Sequence, residues 1–338
     1  MELQSPTTKP LLRVPLLIAP FFLWGTAMVA MKGVIPDTAP FFLATMRLAP
    51  AGVLVLLAAL LMKRSFQITR QGWWWISLFA LVDGTLFQGF LAQGLVRTGA
   101  GLGSVMIDSQ PLAVALMARW LFKEQVGPLG WLGLLVGLSG ISLLGLPDEW
   151  FISLFQGNFT LAEIPADGMA LLRLLFDQGE WLMLMAALSM AVGTILIRYV
   201  AEHADPVVAT GWHMILGGLP LAVLSLMGET HPWIGLGLSG WGAIAYSTIL
   251  GSALAYGIFF YLASKGNLTS LSALTFLTPV FALLFGNLFL GEVLSSIQTA
   301  GVALTIVSIY LINQRDVLMA FLTKKLELFN GRTAESES

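Results

Sequence analysis

Residues 110–124 read QPLAVALMARWLFKE, and residues 278–292 read TPVFALLFGNLFLGE. In both stretches a glutamate follows a proline by 13 residues, at the far end of an apolar run, and the two stretches lie 168 positions apart. A long period that is kept without a gap is typical of a repeated unit, and repeats decide the fold before any local feature does. The chain is therefore predicted to be one unit written twice.

The repeat extends beyond these two stretches in both directions. From Gly72 onward the second half follows the first at an offset of 168, which aligns Gly89 with Gly257, and upstream Arg47 aligns with His213 after a shift of two residues. Each unit holds five apolar segments, and because five is odd the second unit must enter a membrane inverted. Inverted repeats are typical of transporters, whose two halves exchange packings, although a duplicated scaffold is the alternative.

The composition predicts a membrane protein. The 338 residues are 57% hydrophobic and 11% charged, whereas soluble domains carry about 25% charged residues. Apolar runs of about 20 residues, each long enough to cross a bilayer, recur along the chain. The fold class is predicted to be all-α and polytopic, with ten transmembrane helices at residues 14–34, 38–62, 73–96, 101–122, 127–146, 179–200, 206–228, 239–264, 267–290 and 295–313.

Basic residues predict the orientation of these helices. Thirteen Lys and Arg residues fall on the side of the N-terminus and three on the other side, and such a bias marks the cytoplasmic face. We expect both termini in the cytoplasm of a bacterium, with the protein in its plasma membrane. The predicted domains are a first five-helix repeat, an acidic extracytoplasmic insert, a second five-helix repeat and a cytoplasmic tail, at residues 14–146, 147–178, 179–313 and 314–338.

Several classes of function are disfavoured by what the sequence lacks. It has no cysteine, only three scattered histidines, and a net charge of −2 without a basic block. No phosphate-binding loop and no pairing of a nucleophile with a base is visible. We therefore expect no metal, no cofactor, no nucleic acid and no enzymatic reaction. The expected partners are a small-molecule substrate and membrane lipid, and the protein is expected to be a monomer or a homodimer. The glycines of the fifth helix suit close packing either between copies or within one chain.

The order of several features resembles a known family. These features are Trp24-Gly25-Thr26 with Lys32 in the first helix, Arg47 inside the second, the repeated proline and glutamate, and the glycine-rich segment GWLGLLVGLSGISLLG at residues 130–145. Together they resemble EamA-type members of the drug/metabolite transporter superfamily. The resemblance implies ten helices and a central cavity formed mainly by helices 1, 3, 4, 6, 8 and 9. Members carry amino acids, metabolites, drugs or nucleotide sugars, many of them outward, so the solute itself does not carry over.

Two aspartates are the leading candidates for chemistry. Asp83 lies about ten residues into the third helix, or about 15 Å deep, and a carboxylate at that depth is a functional candidate by default. Asp108 precedes Pro111 by three residues, where the proline frees a backbone carbonyl. Either aspartate could contact substrate or carry a proton. His213 could also carry a proton. The alternatives are a neutral acid bonded to a neighbouring helix for Asp83, a surface pairing with Arg97 for Asp108, and simple packing for His213.

Further residues are assigned to the wall of the cavity or to the scaffold. Side chains expected to contact substrate, with ordinary helix packing as the alternative, are Trp24, Phe87, Gln88, Gln110 and Tyr256. A structural role is predicted for Arg47, Pro111, Glu124, Pro279 and Glu292. Arg47 is expected to bind backbone carbonyls or an acid, with a substrate carboxylate as the alternative. The two glutamates are expected to cap the helices that follow them. The resulting hypothesis is a secondary transporter that works by alternating access, and the alternative is a membrane scaffold or a membrane-embedded enzyme.

Overall fold

The computed structural model describes residues 10–97, 106–145, 179–290, 295–315 and 317–319. All regular structure in these ranges is helical. The predicted acidic insert at residues 147–178 lies entirely outside the described residues, and so do Glu292 and most of the predicted cytoplasmic tail. The description of the fold therefore rests on the two helical blocks that flank the insert.

We number the helices by their correspondence to the ten predicted segments. Their bounds are α1 Pro10–Val34, α2 Pro40–Leu61, α3 Arg70–Arg97, α4 Gln110–Phe122, α5 Gly127–Gly145, α6 Gly179–Ala201, α7 Pro206–Gly228, α8 Leu238–Ala263, α9 Leu268–Phe289 and α10 Ser296–Asn313. Within the described residues, seven of them (α1–α3 and α6–α9) are long and apolar enough to cross a membrane, and α5 and α10 contain shorter apolar helices. The all-helical membrane class is confirmed, and the number ten stays a prediction.

Short polar caps explain where several helices begin. The first four backbone N–H groups of a helix have no partner inside it, and a side-chain oxygen just before the helix can accept from them. Thr69 accepts from the backbone N–H of Gly72 at 3.0 Å at the start of α3. Asp205 accepts from the N–H of Val207 at 2.9 Å at the start of α7, and Asn267 caps α9 in the same way. These caps allow the connections to stay short.

The helices pack in pairs that reflect the repeat. The second helix of each half packs along its counterpart, α2 on α7, and the fifth helices do the same, α5 on α10. Between these pairs, α1 contacts α8 and α9, while α6 contacts α3 and α4. Because α6, α3 and α4 are the repeat equivalents of α1, α8 and α9, these contacts are the ones that a two-fold relation between the halves requires. The first, third, fourth, sixth, eighth and ninth helices therefore surround the centre.

The glycines of α5 pack within the chain. Ser308 on α10 donates to the backbone carbonyl of Gly133 at 2.6 Å, and a Cβ added at Gly140 would lie 2.8 Å from the backbone nitrogen of Thr305. Small residues allow two helix backbones to approach this closely. Of the two explanations offered by the sequence, the packing of α5 against α10 accounts for these glycines, so they give no support to a dimer.

The third and eighth helices, α3 and α8, each contain a widened turn. The π-helix Ala80–Phe87 interrupts α3, and the π-helix Ile249–Leu254 interrupts α8 at the equivalent place. π-Helical turns are rare and are often found at functional sites. Asp83 lies in the first π-helix and its counterpart Gly251 in the second. Neither turn is predicted by the hydrophobic pattern of the sequence, and their symmetry places an irregular backbone at the same level in both halves.

Candidate functional site

A cavity of about 50 Å³ lies at the centre of the helices, next to the two π-helices. All six helices implied by the resemblance contribute to its wall, and α2 adds one residue. The side chains that line it are Trp24, Ala27, Met28, Met31, Arg47, Phe87, Leu91, Ile107, Asp108, Gln110, Met190, Tyr256, Thr275 and Thr278. Five of the seven residues predicted to bind substrate are therefore brought together on one wall, and the exceptions are Asp83 and Gln88.

The polar side chains of the cavity have unused hydrogen-bonding capacity. No partner in the described protein is found for the indole nitrogen of Trp24, Nε of Arg47, both amide atoms of Gln110, or the hydroxyl of Thr278. All four residues are more than nine-tenths buried. A buried polar atom without a partner costs about 1–3 kcal/mol, so water or a bound solute must supply these bonds. Gln110 and Thr278 are repeat equivalents, so each half of the chain contributes one of these side chains with unpartnered polar atoms.

Arg47 belongs to a polar network beside the cavity. Its Nη1 donates to Oε1 of Gln88 at 3.5 Å, and its Nη2 donates to the hydroxyl of Ser252 at 3.4 Å. Both bonds are long, because N–H···O bonds usually span 2.7–3.2 Å. The predicted partners of Arg47 were backbone carbonyls or an acid, whereas its partners in the structure are an amide and a hydroxyl. A guanidinium held this loosely at the cavity wall is available to an anionic group.

Gln88 and Tyr256 mark the axis that relates the two halves. Nε2 of Gln88 donates to the hydroxyl of Tyr256 at 2.9 Å, and the two residues are repeat equivalents. A bond between equivalent residues must lie close to a two-fold axis. Gln88 itself is behind the wall of the cavity, and it positions Tyr256, which lines it.

Aromatic rings form the apolar part of the cavity wall. The ring of Trp24 lies 5.1 Å from that of Tyr256 and 5.0 Å from that of Phe259. Phe87 from α3 and Met28 from α1 extend this surface. Aromatic pairs at such distances hold one another in place. The cavity therefore combines a rigid apolar wall with polar groups from α2, α4 and α9.

Asp83 and His213 pair with each other outside the cavity. Oδ2 of Asp83 lies 3.1 Å from Nε2 of His213, and the two side chains are 1% and 0% exposed. The imidazole stacks on the ring of Phe79 at 4.0 Å. The sequence named Asp83 and His213 as separate candidates and missed the pair, because it joins helices from opposite halves of the chain. Neither side chain lines the cavity.

The repeated prolines stand where their helices begin regular α-structure. Pro111 is in the first turn of α4, which starts at Gln110, and a turn at residues 108–109 precedes it. Pro279 follows the 3₁₀ turn Leu274–Phe276 within α9. The sequence placed Pro111 in the middle of a helix that begins at residue 101; residues 101–105 are outside the described ranges. A proline near a helix start loses no hydrogen bond. In both helices the backbone is irregular just before the proline, beside the cavity.

Glu124 caps a helix, but a different one from the helix predicted. Its carboxylate accepts from the backbone N–H groups of Leu268 at 3.1 Å and Thr269 at 3.3 Å. It also pairs with Arg198 at 3.3 Å, and Arg198 donates to the backbone carbonyl of Gly266. Lys123 adopts a left-handed conformation with φ of 55°, so the chain turns sharply and α5 does not receive this carboxylate. Glu124 thus joins the end of α4 to the start of α9.

We expect Glu124→Gln to lower the free energy of unfolding by about 1 kcal/mol, because it removes a charged helix cap and an ion pair. The measurement is thermal unfolding in detergent. Glu202→Gln is the control, because Glu202 is an exposed glutamate close to Arg198 in the sequence. Equal melting temperatures for the two variants would contradict the assigned role of Glu124.

Comparisons with known proteins place the chain among transporters. A model of the EamA-like transporter family matches residues 12–146 and 177–314. An uncharacterized transporter of Synechocystis sp. is 64% identical over 320 residues, which are 94% of each chain. A chloroplastic WAT1-related protein of Arabidopsis thaliana is 50% identical over 88% of this chain and 68% of its own length. A solved crystal structure at 20% identity superposes with a TM-score of 0.70 over 92% of this chain and 97% of the other, which supports the fold.

Proposed function

The chain belongs to the EamA-like transporter family, and from this premise we propose that it is a secondary transporter that moves a small organic solute by alternating access. Its family is one of membrane transporters rather than enzymes, and the resemblance found in the sequence is confirmed. The observation that carries the proposal is the group of unpartnered polar atoms around the central cavity. A cavity that only stabilised the fold would have no reason to keep these atoms unsatisfied.

The chemistry of the wall points to a solute with an apolar body and a charged end. Arg47 offers donors for a carboxylate, and arginine recognises that group better than other cations do. Asp108 lies on the same wall and favours an ammonium group or another donor. Trp24 and Phe87 supply the surface for the apolar body. An amphipathic zwitterion of the size of an amino acid satisfies all three features.

The two-fold arrangement of the halves supports alternating access. Each half can adopt either of two packings, and an exchange of packings would open the cavity to the opposite face. The π-helices of α3 and α8 and the irregular turns before Pro111 and Pro279 lie at the level of the cavity. We propose that all ten helices cross the membrane, that both termini are cytoplasmic, and that the direction is export, as in many members of the family.

We predict that a cysteine at Met28 reacts with a membrane-impermeant maleimide from both faces of the membrane. Met28 lines the cavity, and the native chain has no cysteine that could add background. Labelling is measured in right-side-out and inside-out vesicles. Val208→Cys, on α7 and fully buried outside the cavity wall, is the control and should stay unlabelled. Labelling of Met28→Cys from one face only, or from neither, would favour a scaffold and contradict alternating access.

A further inference from the structure

The pair of Asp83 and His213 is surrounded by aromatic rings and by the backbone of α6. Phe79 stacks on the imidazole, and Phe260 meets it edge-on at 5.4 Å between ring centroids. On the side of α6, a Cβ added at Gly193 would lie 2.5 Å from Oδ1 of Asp83. The carboxylate therefore fills the space that this glycine leaves. Neither member of the pair lines the solute cavity.

Each member of the pair keeps one polar atom without a partner. Oδ1 of Asp83 and Nδ1 of His213 are buried and form no hydrogen bond within the described protein. A pair that served only to join α3 to α7 would be expected to have its remaining atoms satisfied, because each unsatisfied atom is costly in an apolar region. The pair is thus incompletely bonded on both sides, and each open atom is a place where a proton can bind or leave.

We propose that Asp83 and His213 form a proton-binding site that couples proton movement to the alternation of the transporter, separate from the site that binds the solute. The inference rests on the proposed function and adds the coupling ion to it. A carboxylate and a neutral imidazole together carry one negative charge, and one further proton on either group makes the pair neutral. Because a net charge is costly inside a membrane, the proton can leave only in a conformation that admits water to the pair.

The other half of the repeat shows that the acid is not needed to build this contact. His213 corresponds to Arg47, and Asp83 corresponds to Gly251. Arg47 packs on the π-helix of α8 through its bond to Ser252, as His213 packs on the π-helix of α3 through Asp83. The same helix crossing is therefore made once with a permanent cation and no acid, and once with a titratable pair. This asymmetry is what a single proton site per molecule requires.

Tyr256 connects the proton site to the cavity. The ring of Phe260 lies 5.4 Å from the imidazole of His213 and 5.7 Å from the ring of Tyr256, and Tyr256 lines the cavity and accepts a hydrogen bond from Gln88. Apart from the pair itself, the charged residues of α3 and α6 lie near the helix ends, away from Asp83 and His213. His213 is the ionisable residue of α7. A change in the charge of the pair therefore reaches the solute site through Tyr256.

The test uses the reactivity of Met28→Cys as a reporter of conformation. Its rate of labelling in inside-out vesicles is measured at pH 5 and pH 8 and divided by the rate for Gln67→Cys, an exposed loop position, which removes the pH dependence of the maleimide reaction. We expect the normalised rate to change about tenfold across the range in which histidine titrates. In backgrounds that carry Asp83→Asn or His213→Gln, the rate should no longer depend on pH.

The outcomes separate this inference from the proposed function. If Met28→Cys reacts from both faces but its normalised rate does not depend on pH, the proton site is wrong and alternating access stands. If the dependence survives Asp83→Asn and His213→Gln but is lost in Asp108→Asn, the site is Asp108 and the assignment to the pair is overturned. If both pair variants unfold, NMR of the histidine nitrogens and the aspartate carboxyl carbons decides: unchanged protonation of both His213 and Asp83 in the wild-type protein from pH 5 to pH 8 would refute the inference.

Discussion

Gly217→Ala is expected to lower the free energy of unfolding by about 3 kcal/mol, at the upper end of the usual range for overpacking. A Cβ at Gly217 would lie 2.5 Å from Cα of Gly84 and 2.7 Å from the carbonyl oxygen of Ala80. Both are backbone atoms of the π-helix in α3, so no side-chain rotation can relieve the contact. The helices α3 and α7 would have to separate, and the pair of Asp83 and His213 joins these same helices.

The matched control for this substitution is Gly257→Ala. Gly257 is also a glycine inside a central helix, but, apart from its chain neighbours and the nearby backbone of its own helix, no atom lies within 4 Å of the Cβ that alanine would add. Alanine favours a helix over glycine by about 1 kcal/mol, so this variant should melt at the same temperature as the wild-type protein or slightly higher. Thermal unfolding of both variants in one detergent is the measurement. Similar losses in the two would show that the contact between α3 and α7 is not tight.

The sequence predicted the helices well because length and hydropathy decide where a chain can cross a membrane. Equivalent helices pack in equivalent places in the two halves, which the gapless repeat explains. The sequence did not predict the π-helices at Ala80–Phe87 and Ile249–Leu254, since one extra residue in a turn leaves the pattern of an almost uniformly apolar segment unchanged. Such turns depend on what the neighbouring helices require, which is a property of the packing.

Much of the site was predictable from residue type and position in the central helices. Trp24, Phe87, Asp108, Gln110 and Tyr256 were identified by polarity or aromaticity in central helices, and all five line the cavity. Thr278 was missed as a binding candidate, although its equivalence to Gln110 was a sufficient signal.

The contacts of two groups could not be predicted from the sequence. Asp83 and His213 are 130 residues apart, and no local pattern indicates which helices of opposite halves touch. Glu124 illustrates the same limit, because the dipole rule places a carboxylate at a helix start without saying which helix receives it.

Gln110→Met is expected to raise the stability of the protein without solute while weakening the binding of solute about tenfold. Gln110 is 1% exposed, and neither atom of its amide has a protein partner. Methionine has a similar volume and no polar group to satisfy, so the substitution removes a cost from the empty cavity. A solute that binds the amide would lose one hydrogen bond. Opposite changes in stability and binding indicate a residue kept for function rather than for folding.

Gln88→Met is the control, and it is expected to change the stability in the opposite direction. Gln88 is equally buried, but its amide donates to Tyr256 and accepts from Arg47, so the same substitution should lower the melting temperature. Binding is measured as the thermal shift produced by phenylalanine, 3-phenylpropionate and phenethylamine, which share a ring and differ in charge. The zwitterion should give the largest shift in the wild-type protein, since Arg47 and Asp108 can each bind one of its charges. If both glutamine variants are destabilised alike, the amide of Gln110 is bonded within the fold. The polar groups around the cavity would then no longer support the binding of a solute.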